Sequence, residues 1–578
     1  LVSTSLQGAS SIQAYIRLGE DPNEALTQIV AKVNKMRSEL PEESEDPTVE
    51  LAVGESIASM YLSFSSEILD NNQITDYLVR EVQPKLATIS GVQRARILGD
   101  RTFAMRAWLK PQRMAALGIT PSDVYGALQQ NNVLAAVGST KGTNVALDLK
   151  AGTDLNSAEE FERLIIRAED NAIVRLGDVA DVELGSESYQ SSVTFNGRQA
   201  TFMGIEVGTD ANALDVIAEV RQVLENQIFP QLPEGMRGDI PYDGTDYIQD
   251  SIDEVVKTLI EAVLIVILVI YLFLGSLRSV LIPAIAVPLS MVGALFLMLL
   301  MGFSINLLTL LAMVLAIGIV VDDAIIVLEN VHRHVEEGLS PFDAAIKGAR
   351  ELAWPVVAMT TTLVAVYAPI GFMGGLVGSL FTEFAFTLAG TVVISGIVAL
   401  TLSPMLSAKV LKPHGNPGRF EKVVEKSFNG LANGYKAALA SLMQTKSVVV
   451  FFAFVVLGSI YFMLMMSQNE LAPTEDQGIL FYQGLGPETS TLDYLYDHGQ
   501  EVQNRMSEVP GYSEDFMILG ITSPNAVFGG FKLAPWSERE ITQFEVQPKL
   551  DAELKKVTGL QTAVFPRPSL PGSGGGLP

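Results

Sequence analysis

The 578-residue sequence contains no cysteine, which excludes a disulfide scaffold and any Cys-ligated zinc or iron–sulfur site. Charge is scarce. Asp, Glu, Lys and Arg make up 18% of the chain, against 48% hydrophobic residues, a composition that excludes disorder and points to a chain with much of its length in lipid. Basic residues are scarcer still, 39 against 65 acidic, for a net charge of −26. Nucleic acid is not expected as a partner, since phosphate binding needs clustered Lys and Arg.

What charge there is lies unevenly. Val255 to Asn469 carries 12 basic and 11 acidic residues, and the remainder carries 27 and 54. A nearly neutral block is thus flanked by two acidic pieces. A membrane-spanning helix needs about 20 mostly apolar residues. Ala262–Leu277, Leu352–Thr382, Phe384–Ala408 and Ser447–Asn469 each supply one, and the 43 uncharged residues Ser279–Val321 supply two, broken at Met301-Gly302-Phe303-Ser304. Six spans are expected. The loops after the first, third and fifth hold 11 Lys/Arg (Arg278, Arg333, Lys347, Arg350, Lys409, Lys412, Arg419, Lys422, Lys426, Lys436 and Lys446) and the alternate loops hold none. Positive loops stay in the cytoplasm, so both acidic pieces belong on the far side, the periplasm of a bacterium. Phe420, Val424, Phe428, Leu431, Tyr435, Leu439 and Leu442 recur at helical spacing, which predicts an amphipathic helix on the cytoplasmic leaflet.

The acidic pieces alternate short strands with amphipathic helices, the order of ferredoxin-like βαβ units. Strands are expected at Ser11–Leu18, Thr48–Val53, Met60–Ser65, Val92–Leu98, Ile479–Leu485, Phe516–Leu519 and Leu560–Phe565; helices at Asp21–Leu40, Asn72–Ile89, Thr491–Val509 and Thr542–Val557. The hexapeptide Glu81-Val82-Gln83-Pro84-Lys85-Leu86 recurs unchanged at Glu545–Leu550, and its matching context suggests duplication. Thr102–Glu187, with helices at Thr120–Asn131 and Ser157–Ile166, interrupts the pattern as an inserted subdomain. Phe528-Gly529-Gly530-Phe531 is expected as a flexible aromatic loop.

The chemistry concentrates in Asp322 and Asp323, inside Ala316–Asn330. A helix entering the membrane at Asn306 places Asp322 roughly 24 Å along its axis. Each intramembrane Asp costs about 2.5–3.5 kcal/mol, so an adjacent pair requires protonation, partners or water. Ala312, Ala316 and Gly318 permit close packing of a neighbouring helix. The pair is expected to relay protons and to couple them to helix movement. A structural ion pair is the competing reading, but no Lys or Arg lies deep in any span. An intramembrane aspartyl protease would need its two Asp on facing helices, whereas these are consecutive. The Thr360-Thr361-Thr362 run is expected to bond backbone carbonyls. No metal site is expected: His332 and His334 fall at a solvated helix end, and Met291, Met298, Met301, Met463, Met465 and Met466 fall in spans as lipid-facing or packing residues.

With the pair placed, the chain resembles the resistance–nodulation–division transporters, specifically their hydrophobe/amphiphile efflux branch. The matching stretches are Phe303–Asn306, Ala316–Asn330, Ile285-Ala286-Val287-Pro288, Leu402-Ser403-Pro404, Leu411-Lys412-Pro413 and Ala472–Gly478. The resemblance implies a polytopic α-helical membrane protein with α+β periplasmic domains: ferredoxin-like βαβ porter subdomains plus an inserted docking subdomain. Residues 1–101 and 188–250 would be porter subdomains and 102–187 the docking subdomain. Residues 251–469 would be the membrane domain, with an interfacial helix near 419–443, and 470–578 a second porter lobe. The opening at Leu1 and the Gly-rich end Pro571–Pro578 fit a piece of a longer protein, roughly its first half, with spans two to seven of twelve. The family's members are trimeric inner-membrane drug/proton antiporters. They work with a periplasmic adaptor (a membrane fusion protein) and an outer-membrane channel, and need no cofactor beyond the proton gradient. Asp322 and Asp323 match their proton-translocating carboxylates. Phe528 and Phe531 would lie near a glycine-rich switch loop, and Met60 and Leu98 would stand where multidrug members place pocket Phe residues. A lipid- or protein-translocation motor of the same superfamily is the alternative.

Overall fold

Long uncharged runs become long helices. The computed structural model describes every residue except 7–8, 18–19, 42–43, 52–56, 132–135, 143, 151–154, 170–171, 209–210, 275, 412–418, 468–473, 522 and 568–578. The Gly-rich end, residues 412–413 and 472–473 of the family motifs, and parts of the expected strands at 11–18 and 48–53 therefore lie outside the described residues. The chain forms two units, one of residues 1–51 and 248–471, the other of residues 52–247 and 472–578.

In the first unit the helices are α1 (Gly244–Leu274), α2 (Leu277–Met301), α3 (Leu307–Glu336), α4 (Pro341–Tyr367), α5 (Gly375–Val410), α6 (Arg419–Gln444) and α7 (Lys446–Met466). All but α6 are long and apolar enough to cross a membrane, six among the described residues. The break between α2 and α3 falls where the sequence places it. Gly302 closes α2 in the left-handed conformation at φ +71°, which costs glycine no steric strain. Asn306 opens α3 through a capping box, its side chain accepting from Thr309 N and its own N–H donating to Thr309 Oγ1, both at 2.9 Å. Among the described residues the strands Val2–Leu6 and Ala9–Gln13 pair only with each other, and the helix Pro22–Met36 buries no residue. The strand expected over Ser11–Leu18 is thus shorter and earlier, the second arm of this hairpin.

The second unit is built on a nine-stranded sheet. Its strands are β1 (Met60–Ser66), β2 (Val92–Leu98), β3 (Ser192–Phe195), β4 (Arg198–Val207), β5 (Met236–Asp243), β6 (Ile479–Leu485), β7 (Tyr512–Leu519), β8 (Ala526–Leu533) and β9 (Gln561–Pro566). Two βαββαβ lobes share it. In the first, β5 lies beside β1, β1 beside β4, and β4 beside β2; in the second, β9, β6, β8 and β7 repeat that order. All these pairs are antiparallel. Residues 192–195 join the lobes, β3 pairing Ser192 with Leu519 through Phe195 with Phe516.

Alternation along the strands gives the sheet two apolar faces. One packs under helices: Ile74, Leu78, Val82 and Leu86 recur every four residues at 0–1% exposure, as do Val546, Leu550 and Leu554 at 0%. Each such side chain contributes about 1.5–3 kcal/mol on full burial. A strict spacing of four drifts on a 3.6-residue helix, and a π-turn at Leu78–Val82 keeps the first row against the sheet. The other face gathers Tyr61, Phe202, Tyr242, Phe481 and Phe516 with Leu98, Phe195 and Phe528.

The repeated hexapeptide does not mark equivalent places in the two lobes. Its first copy lies in the helix before β2, the second strand of its lobe; its second lies in the helix before β9, the fourth of its lobe. Both copies do the same work locally. Gln83 Nε2 donates to Ala95 O at 2.7 Å and Gln547 Nε2 to Val564 O at 3.3 Å, each tying helix to the following strand. Both precede a glycine at positive φ, Gly91 at +90° and Gly559 at +124°.

Residues 102–187 rise on an antiparallel stem of Phe103–Leu109 with Ala180–Ser186. They have their own core around Met114, Phe161, Leu164, Leu176 and Val179. The helix expected over Ser157–Ile166 is only Ala158–Glu162, because Ile165–Glu169 turns into a strand of a hairpin.

Candidate functional site

Asp323 lies in α3 with 2% of its surface exposed. Its partner is the hydroxyl of Ser395 on α5, which donates to Oδ2 at 2.9 Å. Asp322, one position back, is exposed in a groove of about 670 Å³ between α3 and α4, lined by Gly318, Ile319, Ala358, Met359 and Thr362 among others. Successive residues of a helix point about 100° apart, so one acid enters the bundle while its neighbour faces the groove. Neither Asp forms an ion pair with Lys or Arg among the described residues.

Small residues make the burial of Asp323 feasible. Ala312 and Ala316, at 0 and 1% exposure, pack against Leu388 of α5. Gly318 differs from expectation: nothing lies within 4 Å of a Cβ built there, and it opens the groove instead of closing a helix contact. On α5 every fourth residue from Thr387 through Thr391, Ser395, Ala399, Ser403 and Ser407 is small and at most 3% exposed. Thr391 and Ser407 donate to the carbonyls of Thr387 and Ser403, at 2.6 and 2.7 Å. Ser395 instead turns to the carboxylate. That four-residue row of hydroxyls inside an apolar run is the signal that identifies Ser395, which sequence reasoning missed. The threonines of α4 behave as expected at two positions, Thr361 and Thr362 donating to the carbonyls of Val357 and Ala358 at 2.7 and 2.8 Å.

At one end of α3 the Phe303–Asn306 motif holds an acid from α5: Glu383 Oε2 accepts from Asn306 Nδ2 at 2.6 Å and from Ser304 Oγ at 3.2 Å. At the other end His334 corrects the sequence reading. It is not solvated but 3% exposed, its Nδ1 2.9 Å from Glu337 and its Nε2 2.8 Å from Glu351 of α4. Both ring nitrogens donate only in the imidazolium form, which ties α3 to α4 most firmly. His332 is exposed beside Glu336. Among the described residues no group of His, Asp and Glu is arranged to hold a metal ion.

The four residues singled out for substrate contact are not brought together. Met60 and Phe531 are fully buried on the helix-covered face of the sheet, while Leu98 and Phe528 belong to the aromatic face. Phe528–Phe531 is no loop but the middle of β8, paired on both sides. Its glycines are there for space: a Cβ on Gly529 would lie 2.4 Å from the Tyr482 ring, and one on Gly530 2.2 Å from Phe516. Phe528 stacks on Phe481 at 5.6 Å and 14°. The aromatic residues around it were legible as alternate positions of their strands.

The motif Glu475-Asp476-Gln477-Gly478 is a staple at the start of β6. Asp476 accepts from Arg539 at 2.6 Å, Gln543 N at 2.9 Å and Gly478 N at 3.1 Å. Burial works to raise its carboxyl, but these bonds, led by Arg539, outweigh it and hold it below the usual carboxylate range.

Membrane-length helices carrying a buried acid, joined in sequence to an α+β sheet unit, make this a polytopic integral membrane protein with α+β domains. The AcrB/AcrD/AcrF family model matches residues 1–576, and the chain belongs to that family of RND permeases. An uncharacterized transporter of Haemophilus influenzae (strain ATCC 51907 / DSM 11121 / KW20 / Rd) is 41% identical over 568 residues, covering 98% of this chain and 55% of the relative. The chain thus spans about half the length of the curated relative it matches. These matches do not support the expected placement in the first half of a longer protein.

Proposed function

We propose that the chain acts in proton-driven export of amphiphilic small molecules such as drugs, detergents and dyes, with Asp322 and Asp323 as the proton relay. The observation that carries this reading is Asp323, sunk in a membrane-length helix with Ser395 as its one hydrogen-bond partner and no cation beside it among the described residues. Such a group has two usable states: a neutral acid that can donate to Ser395, and a carboxylate that can only accept from it. The two make different demands on the contact between α3 and α5, and a coupling element needs that difference. Asp322, facing the groove, gives protons a way in from one side of the helix.

The remaining parts of the reading rest on family kinship and loop charge. The energy source is the proton gradient, without a cofactor. The protein is a homotrimeric antiporter of the bacterial inner membrane, in contact with lipid, its acidic lobes in the periplasm. It hands substrate to a periplasmic adaptor and an outer-membrane channel. Leu98 and Phe528 stand on the aromatic face where an amphiphile would meet the sheet, and Met60 and Phe531 shape that sheet from beneath.

Dye accumulation in cells that depend on the full-length protein tests the proposal. Asp323→Asn and Asp322→Asn are each expected to raise accumulation to the level of cells without the protein. Unimpaired export by either variant at normal abundance overturns the coupling role of that residue. A lipid- or protein-secretion defect with dye export untouched would move the chain to the alternative branch of the superfamily.

A further inference from the structure

The stem of the inserted lobe ends at a second, differently built cleft of about 440 Å³, lined by Arg106, Trp108, Glu187, Ser188, Tyr189 and Gln190. Its two rings are presented to solvent, Trp108 at 49% and Tyr189 at 41% exposure, with centroids 6.2 Å apart and planes at 45°. Each is fixed by its polar end. Trp108 Nε1 donates to Glu183 at 2.7 Å, and Ser186 N donates to the Tyr189 hydroxyl at 2.9 Å. The backbone makes room for this: a Cβ on Gly185 would lie 2.6 Å from the Tyr189 hydroxyl and 3.1 Å from Arg106 Cγ.

Arg106 spans both rings, its guanidinium carbon 5.4 Å from the Trp108 centroid and 5.3 Å from that of Tyr189. It joins no ion pair among the described residues, and its buried Nε meets no acceptor there. Arg101 adds a second cation 4.9 Å from the Tyr189 ring, held by the carbonyls of Ser188 and Ser191 at 2.8 and 3.1 Å. In a chain of net charge −26, two guanidinium groups beside two exposed, immobilised rings are an exception. An Arg fork is shaped to meet a planar oxyanion in bidentate fashion, and rings held at two ends offer stacking area at little cost in entropy.

We propose that this cleft binds planar aromatic anions, the ring system lying on Trp108 and Tyr189 and a carboxylate or sulfonate meeting the free edge of Arg106. Glu183, opposite Arg106 on the paired strand, accepts the Trp108 indole N–H and forms no ion pair with Arg106 among the described residues. Glu187 on the lining sets the limit, favouring singly over multiply charged anions. The site is built at the base of the inserted lobe's stem, from residues 106–108 and 187–190 with Arg101 beside them. Its occupancy does not depend on proton coupling at Asp323.

Equilibrium dialysis of the detergent-solubilised full-length protein separates the possibilities with three probes of one shape: naphthalene-1-sulfonate, 1-naphthalenemethanol and 1-naphthylmethylammonium, each corrected for partition into empty micelles. The sulfonate is expected to bind roughly tenfold more tightly than the alcohol, a margin typical of one charge-assisted contact. Arg106→Gln should remove that margin, Arg106→Lys should keep part of it, and Trp108→Ala should weaken sulfonate and alcohol alike. Unchanged circular dichroism of the variants shows that they are folded. Equal affinity for sulfonate and alcohol, tightest binding of the ammonium, or unaltered sulfonate binding by Arg106→Gln overturns the proposal.

Discussion

Asp515 in the sheet and Asp323 in α3 are buried to nearly the same degree, 3% and 2% exposed, and differ in what surrounds them. Asp515 accepts from the Tyr512 hydroxyl at 2.6 Å and from Gln503 Nε2, which also reaches Thr194 at 3.2 Å. Its own N–H meets Asn196 at 3.0 Å. These partners come from β3, β7, the turn after β3 and the helix Leu492–Met506, so the acid locks the two lobes' strands together. Burial, working against the bonds from Tyr512 and Gln503, lifts its carboxyl above the usual range. The Tyr512 hydroxyl is pushed up in turn, by burial first and then by Asp515. Asp323 has Ser395. A network that holds one acid from several elements at once rigidifies its surroundings. A buried acid with one partner keeps the freedom to change its protonation and its contacts. The sheet thus uses its carboxylate as mortar, and the membrane helix keeps its carboxylate available.

That contrast can be broken experimentally at four levels. The largest effect belongs to Asp323→Asn, which should abolish export while shifting the melting of the purified protein by no more than about 1 kcal/mol equivalent, since no network is lost. Asp515→Ala should do the reverse. It leaves Tyr512 and Gln503 without their acceptor and costs roughly 1–3 kcal/mol, seen as faster hydrogen exchange in β3 and β7, with export per folded molecule retained. Export lost from molecules that are still folded would erase the distinction. Ser395→Ala is a milder probe, expected to slow export about three- to tenfold, the worth of one ordinary hydrogen bond, as measured by dye efflux rates at matched abundance. The smallest effect is one of pH. The Asp515 carboxyl titrates higher in the folded lobe than the ordinary value of about 3.9, so between the two values the folded state holds a proton that the unfolded chain has released. Stability from this group is therefore fullest at low pH and falls as pH rises through that window. Melting curves between pH 4 and 7 should be flatter for Asp515→Asn than for the parent.

Much of the architecture was legible because lipid imposes a coarse code. Uncharged runs of fixed length gave six helices, and one glycine with one asparagine divided the longest of them. β2 and β6 fell on the expected residues because each extended run ends at a glycine, Gly99 or Gly486. The misreadings share a cause, namely that local chemistry was judged without its tertiary neighbour. A Gly-Gly pair between phenylalanines looks like a turn, yet Gly529 and Gly530 lie flat in β8 because the rings of Tyr482 and Phe516 press on that backbone. His334 looked solvated at a helix end until α4 brought Glu351 against it. Asp323 was found from cost alone, but its partner Ser395 lies 72 residues away, a separation no local pattern can bridge. The shared hexapeptide was sound as a local motif and misleading as a sign of lobe duplication, because a βαββαβ unit offers two similar places for one helix-to-strand joint.

The pairing of β3 with β7 sets an order of events during synthesis. One edge of β3 has to wait for a strand made more than 300 residues later, with all the membrane-length helices in between. At ~5–20 residues per second that wait is roughly 15–60 s. An open strand edge is a template for wrong partners, and four residues is a short template. The brevity of β3 keeps the nascent protein out of trouble until its own second half arrives.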